Sequence, residues 1–369
     1  MKIRFFGHRN ILGGGVQFSN FVDSFKKIAT FNTVVEEADP VNPEQFRDAC
    51  LSSRPDDINI HFSPYPIHHP LQGINIIWAI FESTVAPQIY LNFYRRMNGR
   101  LYWVPSAWGK QMLCNAGVLA GKIDVVPEGV DPYLYHPYFR ATHARTPPYK
   151  FLTIGKYEER KGHKELLRAF RQAFDNDPRV QLVCKADYFH PQLEVYHAKK
   201  NAFLALVESL GLTNVDCVWG TADLGSLLLL YTNCDAFVYP TKAEGWGLPL
   251  IDAIACGLPV ITTNHSGHTE FIRHLSSSLI KVDYDLVPIV SEDPDYANYY
   301  PSPSGDHGLW ASPRVDSIAR GLQYCFENRE RLAQEAIKAS SIIRSRVSWD
   351  QAAITAMNSL IAHGFFKIQ

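Results

Sequence analysis

Short apolar runs alternate with amphipathic stretches along this chain, and the alternation pauses once before its midpoint. Lys2–Phe6 reads as a strand, followed by a loop over Gly7–Gly15 and a helix over about Val16–Ile28. Further strands are expected at Asp57–Phe62, Ile74–Ala79, Leu101–Val104 and Lys122–Pro127, the last running into the loop Glu128–Asp131. Arg140–Lys150 mixes Arg, Thr and paired prolines without any period and reads as a linker. The rhythm then restarts. Strands are expected at Phe151–Ile154, Gln181–Lys185 and Cys217–Trp219, with helices at Lys164–Phe174 and Asn201–Leu210. Leu286–His307 is rich in Pro, Tyr, Asp and Ser and reads as an ordered insertion or long loop. Two helices, about Val315–Arg344 with an interruption and Trp349–His363, close the pattern. The expectation is α/β: two Rossmann-like domains facing a central cleft.

One stretch carries chemistry more plainly than the others. Ala236–Tyr239 has the length and content of a buried strand, and Pro240 stops it. The loop Glu244-Gly245-Trp246-Gly247 follows, then a helix with Pro249 in its first turn, ended by Gly257-Leu258-Pro259. Pro259–Thr263 reads as the next parallel strand. The loop therefore lies at a strand's carboxyl end and a helix's amino end, where open α/β sheets bind ligands. Backbone N–H groups and the helix dipole favour an anion there. Glu244 repels a bare phosphate and suits a hydroxyl-rich group beside one. Phosphate plus polyol points to a sugar nucleotide.

At 369 residues the chain can fill two domains with separate cores. A net charge of −1 argues against a general nucleic-acid binder, which would show a basic excess. Seven cysteines, scattered and in apolar company, read as free thiols of a reducing compartment. MKIRFFGHRN lacks the apolar core of a signal peptide, and no run approaches the roughly 20 apolar residues of a spanning helix. A soluble, cytoplasmic protein is expected.

The Glu244 segment resembles the donor-site signature of the retaining glycosyltransferases of family 4, which have the GT-B fold. In that family a Glu opens the glycine loop and a second Glu lies eight positions on. This chain has Glu244 and Asp252 at those places, the second acid on a shorter side chain. Ile154–Gly162, reading IGKYEERKG, resembles the family's diphosphate loop, with Lys156 for its Arg and Lys161 for its Lys. Lys156 loses the planar fork of an arginine, which makes Lys161 the stronger candidate. The resemblance implies that Glu244 holds donor-sugar hydroxyls and Asp252 the ribose. It implies further that Lys156 and Lys161 stabilise the departing diphosphate, assisted by the amides of Gly245, Trp246, Gly247 and Leu248. Gly13-Gly14-Gly15 answers to the family's first-domain glycine loop, which would set Gly14 and Gly15 against the donor diphosphate. The resemblance also implies a last helix, 349–369, that crosses back to a first domain of 1–145 from a second of 146–348.

Other features divide between function and packing. Many family members place a His where Ile77–Ser83 has Glu82, so Glu82 is the acceptor-side candidate. Asp131 reads as a structural turn. His61, His68 and His69 have no metal spacing and read as packing or surface residues. Gln88–Gly99 with Arg95, Arg96, Arg100 and its tyrosines presents a basic aromatic face suited to a glycan or a membrane surface, though a helix packing its aromatics is the preferred reading. Asp283-Tyr284-Asp285 imitates a metal motif of another glycosyltransferase fold, but it follows the donor signature, and no essential metal is expected. Gly308–Pro313 resembles a turn of a mannosyltransferase-like branch, which favours GDP-mannose over a UDP-sugar. A retaining, metal-independent glycosyltransferase acting on a glycan or other hydroxyl acceptor is the leading reading. A non-catalytic sugar-nucleotide or glycan-binding protein on the same fold is the alternative. A nicotinamide oxidoreductase is weaker, since neither half has a G-x-G-x-x-G turn.

Overall fold

The computed structural model describes residues 2–10, 13–29, 33–62, 71–138, 147–188, 192–275, 277–290 and 305–366. They form two compact units. Unit 1 comprises Met1–Gly129, Ile289–Gly308 and Val347–Gln369, and unit 2 comprises Val130–Pro288 and Leu309–Arg346. The division falls at Gly129, ahead of the Arg140–Lys150 stretch read as a linker. His68, His69 and residues 139–146 lie outside the described residues, as does most of the Leu286–His307 insertion.

Unit 1 is built on a six-stranded parallel sheet: β1 (Lys2–Phe6), β2 (Val34–Ala38), β3 (Ile58–His61), β4 (Ile74–Trp78), β5 (Leu101–Val104) and β6 (Ile123–Val125), in the order β2-β1-β3-β4-β5-β6. Helix α1 (Gly13–Ile28) buries Phe18, Phe21, Val22 and Phe25, the spacing of a single helical face. The glycine triplet expected in a loop is instead the first turn of this helix. Strand β2 lacks an apolar run. Its Glu36 and Glu37 are held by Lys2, Arg4, Arg9 and Lys26, so ion pairs replace hydrophobic alternation. Two helices, α2 (Pro43–Ser52) and α4 (Ala107–Asn115), also have weak sequence signals. Between them α3 (Gln88–Arg96) buries Phe93 and Tyr94 and leaves Arg95 and Arg96 exposed. The aromatics of that helix are packing residues, and His61 is core, fully buried against Asn75.

Unit 2 repeats the plan. Strands β7 (Tyr149–Lys156), β8 (Val180–Asp187), β9 (Val215–Trp219), β10 (Ala236–Tyr239), β11 (Val260–Thr263) and β12 (Leu279–Val282) are parallel, in the order β12-β11-β10-β7-β8-β9. The helices are α5 (His163–Phe174), α6 (Leu193–Ser209), α7 (Leu224–Asn233), α8 (Leu248–Ala255), α9 (Thr269–Ile272), α10 (Val315–Glu327) and α11 (Arg329–Arg346). Every residue of β10 is buried, which explains its unbroken apolar run. The order places a switch point between β7 and β10, whose following loops leave in opposite directions. Leu309–Pro313, expected as a turn, is strand β14 and pairs antiparallel with β13 (Tyr284–Pro288). That ladder also takes in Leu286–Pro288, the start of the stretch read as an insertion.

Helix α12 (Trp349–Ala362) belongs to unit 1 and is fastened by a polar chain. The Trp103 indole N–H donates to Ser359 Oγ at 2.9 Å, and Ser359 donates to Asp124 Oδ2 at 2.6 Å. His363 Nε2 also donates to Asp124 Oδ2, at 3.0 Å. Trp103 is fully buried, so its N–H has no recourse to water. Ser359→Ala is expected to cost about 1–3 kcal/mol, read as a lower urea midpoint, because it leaves that donor unsatisfied. A midpoint equal to the parent's would remove the chain of bonds from the account of how this helix docks.

Candidate functional site

The loops leaving β7 and β10 bring one carboxylate and several donors together in unit 2. Four groups converge on Glu244 Oε1: Lys161 Nζ at 2.7 Å, Thr241 Oγ1 at 2.8 Å, Tyr239 OH at 2.9 Å and an Arg160 guanidinium nitrogen at 3.0 Å. Glu244 is 4% exposed and Arg160 8%. Among the described residues none donates to Oε2. Burial alone would raise the proton affinity of Glu244. The charges of Lys161 and Arg160, with the bonds from Lys161 and Thr241, outweigh it and hold the carboxyl down at about 2.

The loop is clamped in place by its own backbone. The Glu244 N–H donates to Ser266 Oγ at 2.8 Å, and the Gly267 N–H donates to Glu244 O at 2.8 Å. A Cβ on Gly267 would stand 1.8 Å from Gly245 O, so only glycine permits this approach. On the β7 side, Gly162 has φ +70° and a Cβ there would sit 2.1 Å from Pro240 O. His163 Nε2 donates to Lys156 O at 3.0 Å, and burial pushes its imidazole down to about 4, so it acts as a neutral donor. The Lys242 N–H donates to Arg160 O at 2.7 Å, which stitches the two loops directly.

The sequence-predicted residues divide. Lys161 stands at Glu244, whereas Lys156 is exposed and faces Glu158 at 3.6 Å. Gly245, Trp246 and Gly247 are buried and lead into α8, whose first turn no side chain caps. The amides of Gly245 to Leu248 have no partner among the described residues. The Trp246 indole is packed on Phe271 with ring centroids 4.9 Å apart. Asp252 lies on α8 beside Tyr135. Burial, and then the charge of Asp131, push its carboxyl well above the usual range against a hydrogen bond from the Tyr135 hydroxyl. Asp131 is a turn residue, its Oδ1 accepting from the N–H groups of Tyr133 and Leu134. Gly14, Gly15 and Glu82 belong to unit 1, the glycines opening α1 and Glu82 following β4.

Arg160, Tyr239, Thr241 and Lys242 complete the site without having been singled out in the sequence. Arg160 was adjacent to a chosen lysine, and its charge was legible there. Its direction, with one nitrogen donating to Ala243 O at 2.7 Å, was not. Lys242, 5% exposed, reaches Glu165 at 2.8 Å and also pairs with Glu159.

No group of three or more His, Cys, Asp or Glu residues among those described is arranged to hold a metal ion. Asp285 is engaged by Arg314 at 2.6 and 2.9 Å, and Asp283 accepts from Ser317 Oγ at 3.2 Å. No described helix is long and apolar enough to cross a membrane.

Glu244→Gln is expected to lower stability at neutral pH by about 3 kcal/mol, because Lys161 and Arg160 lose their counter-charge. A carboxylate held below its unfolded value of 4.5 contributes stability above that pH and loses it as pH falls through about 2. The gap between parent and variant in urea unfolding should therefore be widest near neutrality and shrink between pH 4.5 and 2. A gap independent of pH would contradict the assignment.

Residues 137–286 match the family described as glycosyl transferases group 1. A D-inositol 3-phosphate glycosyltransferase of Segniliparus rotundus is 28% identical over 151 residues, covering 40% of this chain and 32% of that protein. The chain spans between 32% and 52% of the length of the first curated relatives it matches. Anabaena HepE, solved in complex with UDP and glucose, superposes over 98% of this chain and all of its own with a TM-score of 0.68 and 15% identity. Sucrose-phosphate synthase from Thermosynechococcus elongatus gives 0.70 over 99% of each chain at 16% identity. The segment 137–286, which holds the Glu244 cluster, is thus the part that matches the glycosyl transferases group 1 family, on a chain with the GT-B fold.

Proposed function

We propose that the chain is a retaining glycosyltransferase that moves a hexose from a nucleoside-diphosphate sugar to a hydroxyl acceptor such as a glycan. The observation that carries this reading is the Glu244 carboxylate. Its four contacts fall on Oε1, and it stands at the head of a run of unpartnered amides opening α8. Oε2 suits donor-sugar hydroxyls, which give up hydrogen bonds to it. The amides of Gly245–Leu248 suit the diphosphate, with positive charge from Lys161 and Arg160 close by. Charge that builds on the departing diphosphate meets groups already oriented, which lowers the barrier without reorganisation. Lys156 and Asp252 are assigned to the diphosphate and the ribose, Gly14 and Gly15 to the donor side, and Glu82 to the acceptor side. Retention without a protein nucleophile in the role of Glu244 is assigned to front-face attack, the donor phosphate taking the acceptor's proton.

GDP-mannose and a UDP-hexose are the two donors to separate. GDP-mannose rests on the resemblance of Gly308–Pro313, whose Leu309–Pro313 part is strand β14 rather than a turn. The UDP bound to HepE puts a UDP-hexose beside it. Calorimetry with UDP- and GDP-sugars, followed by donor hydrolysis in the absence of acceptor, tests the proposal. Binding without any turnover would favour a non-catalytic sugar-nucleotide-binding protein, and no binding would defeat the reading.

Lys161→Ala should weaken nucleoside-diphosphate affinity by roughly ten- to hundredfold, and Lys156→Ala by less, since Lys156 is exposed. Glu244→Gln should instead depress turnover of the sugar nucleotide while bare nucleoside diphosphate binds within a few-fold of the parent. Loss of nucleotide binding in Glu244→Gln would overturn the division of roles. Transfer is also expected to continue in excess chelator, with two cations and the α8 amides supplying positive charge. Activity lost on chelation and restored by Mn²⁺ or Mg²⁺ would overturn that and return attention to Asp283 and Asp285.

A further inference from the structure

Charge is unevenly spread along unit 1. From Ser83 to Ile123 there is no Asp or Glu, although 37 of the chain's 369 residues are acidic. The same stretch has five bases, Arg95, Arg96, Arg100, Lys110 and Lys122. Topology gathers four of them. Helix α3 runs from β4 to β5 and α4 from β5 to β6, and these strands are parallel neighbours. Both helices therefore return the chain to the amino edge of the sheet. Arg95 and Arg96 close α3, Arg100 precedes β5 and Lys122 precedes β6, so all four belong to that edge. Lys110 is engaged elsewhere, donating to Ile123 O at 2.7 Å.

The four are exposed, and among the described residues no carboxylate meets them. Arg95 donates only to Asn92 Oδ1, at 3.3 Å. Other bases of unit 1 are paired, Lys2 and Arg4 with Glu36, Arg9 and Lys26 with Glu37. At the amino end of β3 an exposed acid, Asp56, is matched by an exposed base, Arg54. The turn that displays the arginines is held firmly. The Asn98 N–H donates to Arg95 O at 3.1 Å and the Arg100 N–H to Asn75 O at 2.8 Å. Apolar side chains stand out on the same edge. Leu119, in the return from α4, is 70% exposed, and Leu51, in the last turn of α2, is 78% exposed. Helices α2, α3 and α4 share one core cluster through Phe46, Phe93 and Leu113, so their returns lie on one face of the sheet.

We propose that this amino edge docks unit 1 on an anionic lipid surface, with the arginines and Lys122 on headgroup phosphates and Leu119 in the apolar boundary beneath them. A guanidinium fork matches phosphate oxygens, and clustered bases are drawn to an anionic leaflet. A nucleic acid or acidic glycan would also satisfy the bases, but it offers no apolar layer to Leu51 and Leu119. Glu82 and the first turn of α1 follow the carboxyl ends of β4 and β1, so docking leaves that opposite edge uncovered. It needs none of the donor residues of unit 2.

The test is cosedimentation of the full chain with vesicles of phosphatidylcholine alone and of equal parts phosphatidylcholine and phosphatidylglycerol. Binding is expected to the mixed vesicles only. It should weaken with salt, as the screening length falls from about 10 Å at 0.1 M to about 3 Å at 1 M. Arg95→Gln combined with Arg96→Gln should lower the partition coefficient about thirtyfold, roughly fivefold for each arginine. Leu119→Ser should lower it about tenfold, a loss that binding to a polyanion would not show. Arg179→Gln removes an exposed base of unit 2 that Asp177 already holds at 2.6 Å, and should bind as the parent does. Urea midpoints of all these variants should match the parent's, since the sites are exposed. Equal binding to both vesicles, binding to neither, or an unchanged partition in the arginine pair would overturn the proposal. So would a loss in Arg179→Gln as large as in that pair. Retention on heparin that needs the arginines, without vesicle binding, would give the edge to a polyanion instead.

Discussion

A carboxylate taken out of water costs several kcal/mol unless charge and hydrogen bonds replace what water supplied. At Glu244 that replacement comes from the side chains of Lys161, Arg160, Tyr239 and Thr241, and it sets the geometry of everything nearby. Tyr239 ends β10, while Arg160 and Lys161 leave β7 through a short helical turn. The ion pair is therefore a bond between the two strands flanking the switch point. It can form only if both loops reach the same place, so the acid also holds the two loops together.

That arrangement puts heavy demands on small residues. Gly162 and Gly267 each stand where a Cβ would strike a carbonyl oxygen of the β10 loop, Pro240 from one side and Gly245 from the other. Lys242 adds a second layer, its buried ammonium pairing with Glu159 and Glu165 just behind the first. Buried ion pairs are weak evidence of stability, since apolar substitutes often do as well. Here they perform a task that apolar packing could not, fixing the direction of a charged oxygen.

Much of this was legible in the chain, and the failures have physical causes. The β7–α5 and β10–α8 units follow from apolar run length, Pro and Gly, because fully buried parallel strands leave that signature. Strand β2 escaped because its register is set by Glu36 and Glu37 pairing with bases from elsewhere, a long-range fact invisible in a local window. The glycine triplet escaped for the opposite reason, since glycine's poor helix propensity is overridden where α1 begins packing its phenylalanines. Lys161 was legible from spacing and Gly162. Arg160 was not, because nothing local tells that two adjacent cations both turn inward onto one carboxylate. Gly308–Pro313 reads as a turn only by resemblance, whereas a partner strand, 284–288, decides the conformation of Leu309–Pro313.

Glu244 and Asp252 sit eight residues apart, yet their environments drive them in opposite directions. Glu244 faces two cations and is held ionised far into acid. Asp252 has a tyrosine hydroxyl and a second acid as neighbours, and its proton affinity rises. Acids pushed apart in this way mark a division of labour rather than a shared one. A charged Glu244 is tolerated in so buried a place because Lys161 and Arg160 cancel its charge. Among the described residues no cation offsets the burial of Asp252, so burial and the charge of Asp131 prevail there. The first acid thus has its charge set by neighbouring cations, whereas the second has its proton affinity set by burial.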